Sequence, residues 1–215
     1  GAGLTYQWES LSLPFFQIPD DANSKKISND VARNASFMFS ASNEGLFRSN
    51  DGGMTFTLSA TMADGLPEDN IQRLFVRGST VLASTASGLG VSSNNGGSFS
   101  TRTTSDGLGS NAVNGTFIDV SGNIYVATQA GLSISTDGGS SFTNYTTSDG
   151  LGNDFVNSVF VTGTGSNRTI YAATASGLSI AFNGSTNFVN TTTADGLLSN
   201  TVNSVAATPD GLVFA

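Results

Sequence analysis

The dipeptide Gly-Leu returns along this chain at a nearly constant interval. It stands at Gly45-Leu46, Gly88-Leu89, Gly131-Leu132 and Gly177-Leu178, with spacings of 43, 43 and 46 residues. A period of this size constrains a fold more than any local propensity, because each repeat must be one supersecondary unit that buries its apolar face on its neighbours. The longer last interval holds an insertion around Gly163-Thr164-Gly165-Ser166-Asn167. A second marker, Asp-Gly-Leu, begins at Asp64, Asp106, Asp149 and Asp195 and keeps nearly the same phase.

One unit reads from Ala112 to Thr147. Ala112–Val120 is a first strand with imperfect alternation, and Ser121-Gly122-Asn123 is a turn. Ile124–Thr128 is a second strand. Gln129-Ala130-Gly131 turns the chain into a third strand, Leu132–Ser135. Asp137-Gly138-Gly139 is a tight turn that needs positive φ. Phe142–Thr147 is the fourth strand. Four short strands per ~43 residues describe the blade of an all-β propeller. Leucine-rich and helical repeats fail, since no stretch keeps a 3.6-residue period over three turns.

Composition agrees. Hydrophobic residues make up 38%, enough for a core, and charged residues only 11% against roughly 25% in an average globular chain. The 15 Phe argue against disorder. The net charge is −8 and the 8 basic residues are scattered, so nucleic acid and anionic membrane surfaces are unsuitable partners. No apolar run approaches the ~18 residues of a membrane span. With no Cys and no His, disulfides, thiolate metal sites and histidine chemistry are ruled out. Neither a cofactor nor a metal is expected. Low charge with abundant Ser, Thr and Asn suits a secreted, cell-surface or periplasmic bacterial protein.

The third turn of the unit resembles a known motif. Ser49-Asn50-Asp51-Gly52-Gly53-Met54-Thr55-Phe56 and Ser135-Thr136-Asp137-Gly138-Gly139-Ser140-Ser141-Phe142 look like Asp-box (BNR) repeats. A degenerate copy is read at Ser93-Asn94-Asn95-Gly96-Gly97-Ser98-Phe99, one residue shorter, with Asn95 in place of Asp. Asn183-Gly184-Ser185-Thr186-Asn187-Phe188 is more degenerate. The stretch from Asp106 to Leu132, above all Gly122-Asn123-Ile124-Tyr125-Val126-Ala127-Thr128, also resembles the propeller repeats of two-component regulators. Both resemblances imply a fold and leave function open.

Phase tracing divides residues 1–215, as a single domain, into blades at about 28–62, 70–104, 112–147 and 155–193. A fifth begins at Thr201 and supplies two strands. Gly1-Ala2-Gly3-Leu4 matches Gln129-Ala130-Gly131-Leu132, so residues 3–12 are expected to supply the outer strands of a blade shared between the termini. Trp8 would be its aromatic, though it comes about six residues too early. Such sharing closes a ring without a free blade edge. The alternative is a window cut from a longer array.

Candidate chemistry lies in two sets of turns. In the first, Asp51, Asn95, Asp137 and Asn183 are expected to accept hydrogen bonds from their own turns while the following Phe packs between blades. One carboxylate per turn makes a poor cation site. In the second, Asp64, Asp106, Asp149 and Asp195 lie in loops joining strand 4 to strand 1 of the next blade. Asp20 or Asp21 stands near the fifth position. Each is expected to fix a turn with its Leu tucked between blades. These loops share a face with the strand 2–3 loops Asn43-Glu44, Ala86-Ser87, Gln129-Ala130 and Ala175-Ser176, where Glu44 carries the only charge. Short, small-residue loops make a shallow surface that favours a macromolecular partner over a deep pocket. Six Asn-x-Ser/Thr sequons, at Asn34, Asn114, Asn144, Asn167, Asn183 and Asn190, matter only if the source glycosylates its surface proteins.

The Asp-box resemblance brings in sialidases and other glycosidases, which need two placed carboxylates. Sialidases also need an arginine cluster and a Tyr–Glu pair. The chain has only Glu9, Glu44 and Glu68, and its six Arg fall at different blade positions. The expectation is therefore a non-enzymatic scaffold that binds a protein or glycan, as part of a larger chain or assembly. A multivalent lectin is the second reading, though no exposed aromatic recurs per blade, and a degenerate glycosidase relative is the third.

Overall fold

A computed structural model describes residues 27–208 and 212–215. Four antiparallel sheets of four strands follow one another along the chain, with a two-stranded sheet after them. The first holds β1 (Ser28–Arg33), β2 (Met38–Ser42), β3 (Gly45–Ser49) and β4 (Thr57–Ala60). The second holds β5 (Arg73–Arg77), β6 (Thr80–Ser84), β7 (Leu89–Ser92) and β8 (Ser100–Arg102). The third holds β9 (Val113–Ile118), β10 (Ile124–Thr128), β11 (Gly131–Ser135) and β12 (Thr143–Tyr145). The fourth holds β13 (Val156–Thr162), β14 (Thr169–Thr174), β15 (Gly177–Ala181) and β16 (Val189–Thr191). Finally, β17 (Ala206–Ala207) pairs with β18 (Val213–Phe214).

Each sheet is an up-and-down meander, and the chain steps from its last strand to the first strand of the next sheet. This is the blade arrangement of a β-propeller, as the repeat implies. Four complete blades and the two inner strands of another are described. Residues 3–12, Trp8, Asp20 and Asp21, expected to finish the last blade, lie outside the described residues.

The apolar interior is not one core. It divides into four clusters, each lying between successive blades. Phe39, Leu46, Leu66, Val81 and Phe99 join the first blade to the second. Leu82, Leu108, Ile124 and Phe142 join the second to the third. Tyr125, Leu132, Leu151, Ile170 and Phe188 join the third to the fourth. Tyr171, Leu178, Val202 and Val205 carry the pattern into the partial blade. Each such Leu or Phe contributes about 1.5–3 kcal/mol when fully buried, so the blades are held by their neighbours.

Towards the axis, the inner strands lock together through amides. Asn29 Nδ2 donates to the Ile71 carbonyl, Asn114 Nδ2 to that of Val156 and Asn157 Nδ2 to that of Val202, each at 2.8 Å. Phe75, Phe117 and Phe160, at one position of three inner strands, form a tilted stack with centroids 4.9 Å apart. In the third blade the expected strands sit where the sequence placed them: the second has the expected limits, the third begins one residue earlier at Gly131, and the first and fourth are narrower. The fourth strand of the third blade starts after Phe142, and Thr147 already belongs to the next turn.

The tightest joint is the Asp-Gly-Leu loop. The Phe99 N–H donates to the Asp64 carbonyl, Phe142 to Asp106 and Phe188 to Asp149. A Cβ on Gly65, Gly107 or Gly150 would lie 2.0, 2.0 or 2.2 Å from the carbonyl oxygen of that same Phe. These glycines also have φ near +95°, in the left-handed region. Gly107→Ala is therefore expected to cost about 3 kcal/mol or more in urea unfolding, from backbone strain plus the clash. Gly122→Ala has similar φ but open space around it, so it should cost only the strain. Equal losses for the two variants would show that the joint is not tight.

Candidate functional site

Two faces carry the polar residues singled out by the repeat. On one lie the turns between strands 3 and 4. Asp51 Oδ1 accepts from Ser49 Oγ at 2.6 Å and from the Thr55 N–H at 3.0 Å, while Thr55 Oγ1 donates to Oδ2 at 2.6 Å. Asp137 is held in the same way by Ser135 Oγ, the Ser140 and Ser141 N–H groups and Ser141 Oγ. In both turns the serine that starts strand 3's exit also accepts an N–H, from Gly53 or Gly139. These carboxylates are spent on their own loops. That of Asp51 is held well below its ordinary value by Ser49 Oγ first and Thr55 second. That of Asp137 is held there by Ser141 first and Ser135 after it.

The second blade requires a correction. The side chain in the Asp role is Asn94, not Asn95. Asn94 Oδ1 accepts from Ser92 Oγ at 2.8 Å and from the Gly97 and Ser98 N–H groups at 3.1 and 3.0 Å. The turn therefore runs Ser92 to Phe99 and has the same length as its neighbours, not one residue fewer. Because an amide nitrogen cannot accept, the last bond is reversed and Asn94 Nδ2 donates to Ser98 Oγ. Asn95 occupies the left-handed position that Gly52 and Gly138 hold elsewhere, at φ 59°. Its Oδ1 accepts from Asn34 Nδ2 of the first blade.

Asn183 likewise stands at a left-handed position, φ 56°, followed by Gly184 at 76°. Its turn has the same length but begins at Ala181 in place of the serine, and it is tied by the Gly184 N–H donating to the Arg168 carbonyl and by Arg168 Nη2 donating back to the Gly184 carbonyl. Asn183 thus supplies backbone freedom where Asp51 and Asp137 supply an acceptor.

On the opposite face, Asp64, Asp106, Asp149 and Asp195 close four near-identical capping boxes around one turn of 3-10 helix. The Oδ2 atom of each accepts the N–H of the threonine three residues before it, Thr61, Thr103, Thr146 or Thr192, at 2.8–3.0 Å. That threonine's hydroxyl reaches the same oxygen. The following Gly is left-handed, and Leu66, Leu108 and Leu151 are buried between blades as expected. Leu197 is half-buried. The four carboxylates are held one per loop; none lines the axial cavity, and no three His, Cys, Asp or Glu converge among the described residues. Glu44 is half-buried in the strand 2–3 loop of the first blade, its N–H donating to Ser42 Oγ.

Two further repeats went unread. Asp69, Asn111, Asp154 and Asn200, each five residues after a capping Asp, accept the N–H of Met62, Thr104, Thr147 and Thr193 at 2.7–2.9 Å. Ser42, Thr85, Thr128 and Thr174, each three residues before a repeated Gly, donate to its carbonyl. Their constant offsets were the available signal, hidden by exchange of Asp with Asn and Ser with Thr.

The arginines do not gather. Arg48 donates to the Asn95 carbonyl and covers the Phe37 ring, Arg77 donates to Ile118, Arg102 to Gly139 and Arg168 to Gly184. Four of the six are therefore backbone ties at blade junctions or turns. Of the sequons, Asn34, Asn114, Asn144 and Asn190 use their amides in internal hydrogen bonds. Asn167 and Asn183 are exposed.

The chain is similar in fold to known propellers. It aligns with the extracellular domain of a hybrid two component system from B. thetaiotaomicron at TM-score 0.72 and 15% identity, over 87% of this chain and 26% of that one. An ancestral GH74 enzyme aligns at TM-score 0.65 and 19% identity, over 86% and 26%. YCF48, solved bound to a D1 peptide, aligns at 0.55 and 12%, over 86% and 59%. The chain thus spans about a quarter of the first two. No family model matches the chain. No curated protein matches it either. No helix among the described residues is long and apolar enough to cross a membrane.

Two outcomes are expected. Asn94→Ala should cost about 1–2 kcal/mol in denaturant unfolding, because it strands the N–H groups of its turn, and should cost more than Asn95→Gly, which keeps the backbone conformation. The reverse order would restore Asn95 to the Asp role. Secondly, the folded carboxyls of Asp51 and Asp137 titrate below their ordinary value of 3.8, so their contribution is complete above about pH 4–5 and is lost as the pH falls further. The double variant Asp51→Asn/Asp137→Asn should show a flatter fall in Tm below about pH 4 than the parent chain. Parallel profiles would contradict this.

Proposed function

We propose that the chain is a non-enzymatic propeller that binds a macromolecule, a protein before a glycan, through the face built by the Asp-Gly-Leu and strand 2–3 loops. It serves as a module of a larger extracellular or periplasmic protein or assembly, and its strand 3–4 turns are diverged Asp-box turns. The carrying observation is the make-up of that face. Met62, Phe155 and Leu198 are exposed there, beside acidic side chains oriented by their own capping boxes. Exposed apolar groups on a rigid, acidic rim suit a partner with apolar and basic groups.

The non-enzymatic reading is supported by the arginines, four of which are committed to backbone carbonyls, and by carboxylates dispersed one per loop. Propellers similar in fold include the extracellular domain of a two component system and a peptide-bound protein as well as an enzyme, and the dispersed charges favour the first two.

The test pairs the parent chain with Met62→Asp/Phe155→Asp/Leu198→Asp, whose exposed positions leave the melting curve unchanged. Both are probed against a glycan array and by crosslinking to the host's own proteins. Loss of about tenfold or more in binding to a given probe, about 1.4 kcal/mol, supports the reading. Binding that survives all three substitutions, or hydrolysis of an aryl glycoside that a single carboxylate change abolishes, would overturn it.

A further inference from the structure

The inner strands surround a cavity whose lining the fold does not explain. Arg73, Gly115, Ser158 and Ser204 each stand nine residues after a capping Asp. Asp30 holds the same position in the first blade, since it pairs with Ala41 as Gly115 does with Ala127 and Ser158 with Ala173. The repeat therefore brings one of these residues from each blade to the axis, where they line a cavity of about 180 Å³. Elsewhere equivalent positions keep their residue type, as the capping Asp and the Leu after it do. Here they are a carboxylate, a guanidinium, a glycine and two hydroxyls, so the position does not serve the repeat.

The two charges there stand apart from each other. Asp30 is fixed by two backbone groups, Oδ1 accepting the Val31 N–H and Oδ2 the Leu74 N–H, each at 2.8 Å. Arg48, Arg77, Arg102 and Arg168 are tied to carbonyls. Arg73 makes no hydrogen bond or ion pair with any described residue. Asn114 and Asn157 line the same cavity, and because their Nδ2 groups donate to the next blade, each keeps Oδ1 as a spare acceptor. Gly115 supplies the room. Its φ lies outside the left-handed region, and a Cβ there would meet only the Asn157 carbonyl oxygen at 3.6 Å and the Ser158 Cα at 3.9 Å. Neither a turn nor a close approach requires this glycine, which weakens a strand interior, and such a glycine suits a place where a ligand comes near.

We propose that this cavity binds a free α-amino acid with a small side chain. The ligand's carboxylate pairs with the Arg73 guanidinium, whose planar fork matches it. Its ammonium donates to the Asp30 carboxylate and to the Oδ1 of Asn114 or Asn157. Its side chain lies over Gly115. A lone anion would be repelled by Asp30 and a lone cation by Arg73, whereas a zwitterion complements both. A volume of about 180 Å³ falls below the roughly 300 Å³ at which pockets for drug-sized ligands begin, which rules out an oligosaccharide. The site is separate from the exposed Met62, Phe155 and Leu198 and does not depend on the macromolecular reading.

Titration calorimetry on the full chain tests this with three solutes of one size. L-alanine carries both charges, L-lactate has a hydroxyl in place of the ammonium, and L-alaninamide has a neutral amide in place of the carboxylate. Alanine is expected to saturate one site with a Kd below about 1 mM, and each of the other two to bind about tenfold or more weakly. Arg73→Gln should weaken alanine about tenfold or more and leave alaninamide unchanged, because the lost partner is the carboxylate's. The exposed Arg33, outside the cavity, provides the control Arg33→Gln, which should bind as the parent does. Gly115→Val should fill the cavity and abolish binding without lowering the Tm, and Arg73→Gln carries the test if that variant does not fold. Met62→Asp/Phe155→Asp/Leu198→Asp should keep its alanine affinity, which separates this site from the macromolecular one. No saturation by about 10 mM alanine, lactate or alaninamide binding as tightly as alanine, or full affinity in Arg73→Gln would overturn the proposal.

Discussion

The array of blades depends on one repeated contact, in which the glycine of an Asp-Gly-Leu loop lies directly beneath the backbone carbonyl of the next blade's Phe. The sheets share no continuous ladder; one blade's main chain meets the next here and where the Ile71, Val113 and Val202 N–H groups donate to the Ser42, Thr85 and Thr174 carbonyls. The Phe N–H bonds to the Asp carbonyl, while the glycine permits both the approach and the turn. The Leu that follows is drawn between blades, and the Phe ring covers it from the other side. Direction, spacing and packing of successive blades all follow from a joint a few atoms across.

Around that joint, acidic and amide side chains mostly serve the backbone. Turns leave N–H groups that no strand can satisfy, and leaving them buried or unpaired is costly. Asp51, Asn94 and Asp137 satisfy them on one face. Asp64 and Asp69, Asp106 and Asn111, Asp149 and Asp154, and Asp195 and Asn200 do so in pairs on the other. Arginines satisfy stray carbonyls between blades. A chain with few charges has spent many of them on its fold.

Much of this was legible because it is periodic. Blade limits, the inter-blade Phe and Leu and the face carrying the capping Asp follow from the phase of Gly-Leu and Asp-Gly-Leu. The Asn94 and Asn95 roles were not legible. Ser92-Ser93 and Asn94-Asn95 are doublets, so either frame reads as a turn, and only the pairing of Ser92 with Val81 selects one. Asn183 misled for a related reason: a residue that favours left-handed φ and one that accepts hydrogen bonds have the same name, and this turn uses the former property. The ties made by Arg48, Arg77 and Arg102 cross between blades and have no local signature.

The sequence by itself determined the class of fold, the blade repeat and the residue types at each joint, because a short period forces equivalent positions into equivalent surroundings. Only the tertiary structure decided which side chain in each turn is acceptor and which is hinge, and which apolar positions find a neighbour. Those outcomes depend on strand register and on what the adjacent blade brings within hydrogen-bonding distance, neither of which is written in any one repeat. The Asp-Gly-Leu interval announced the joint, and the packing of the next blade's Phe backbone over that loop's Gly explains why the interval is kept.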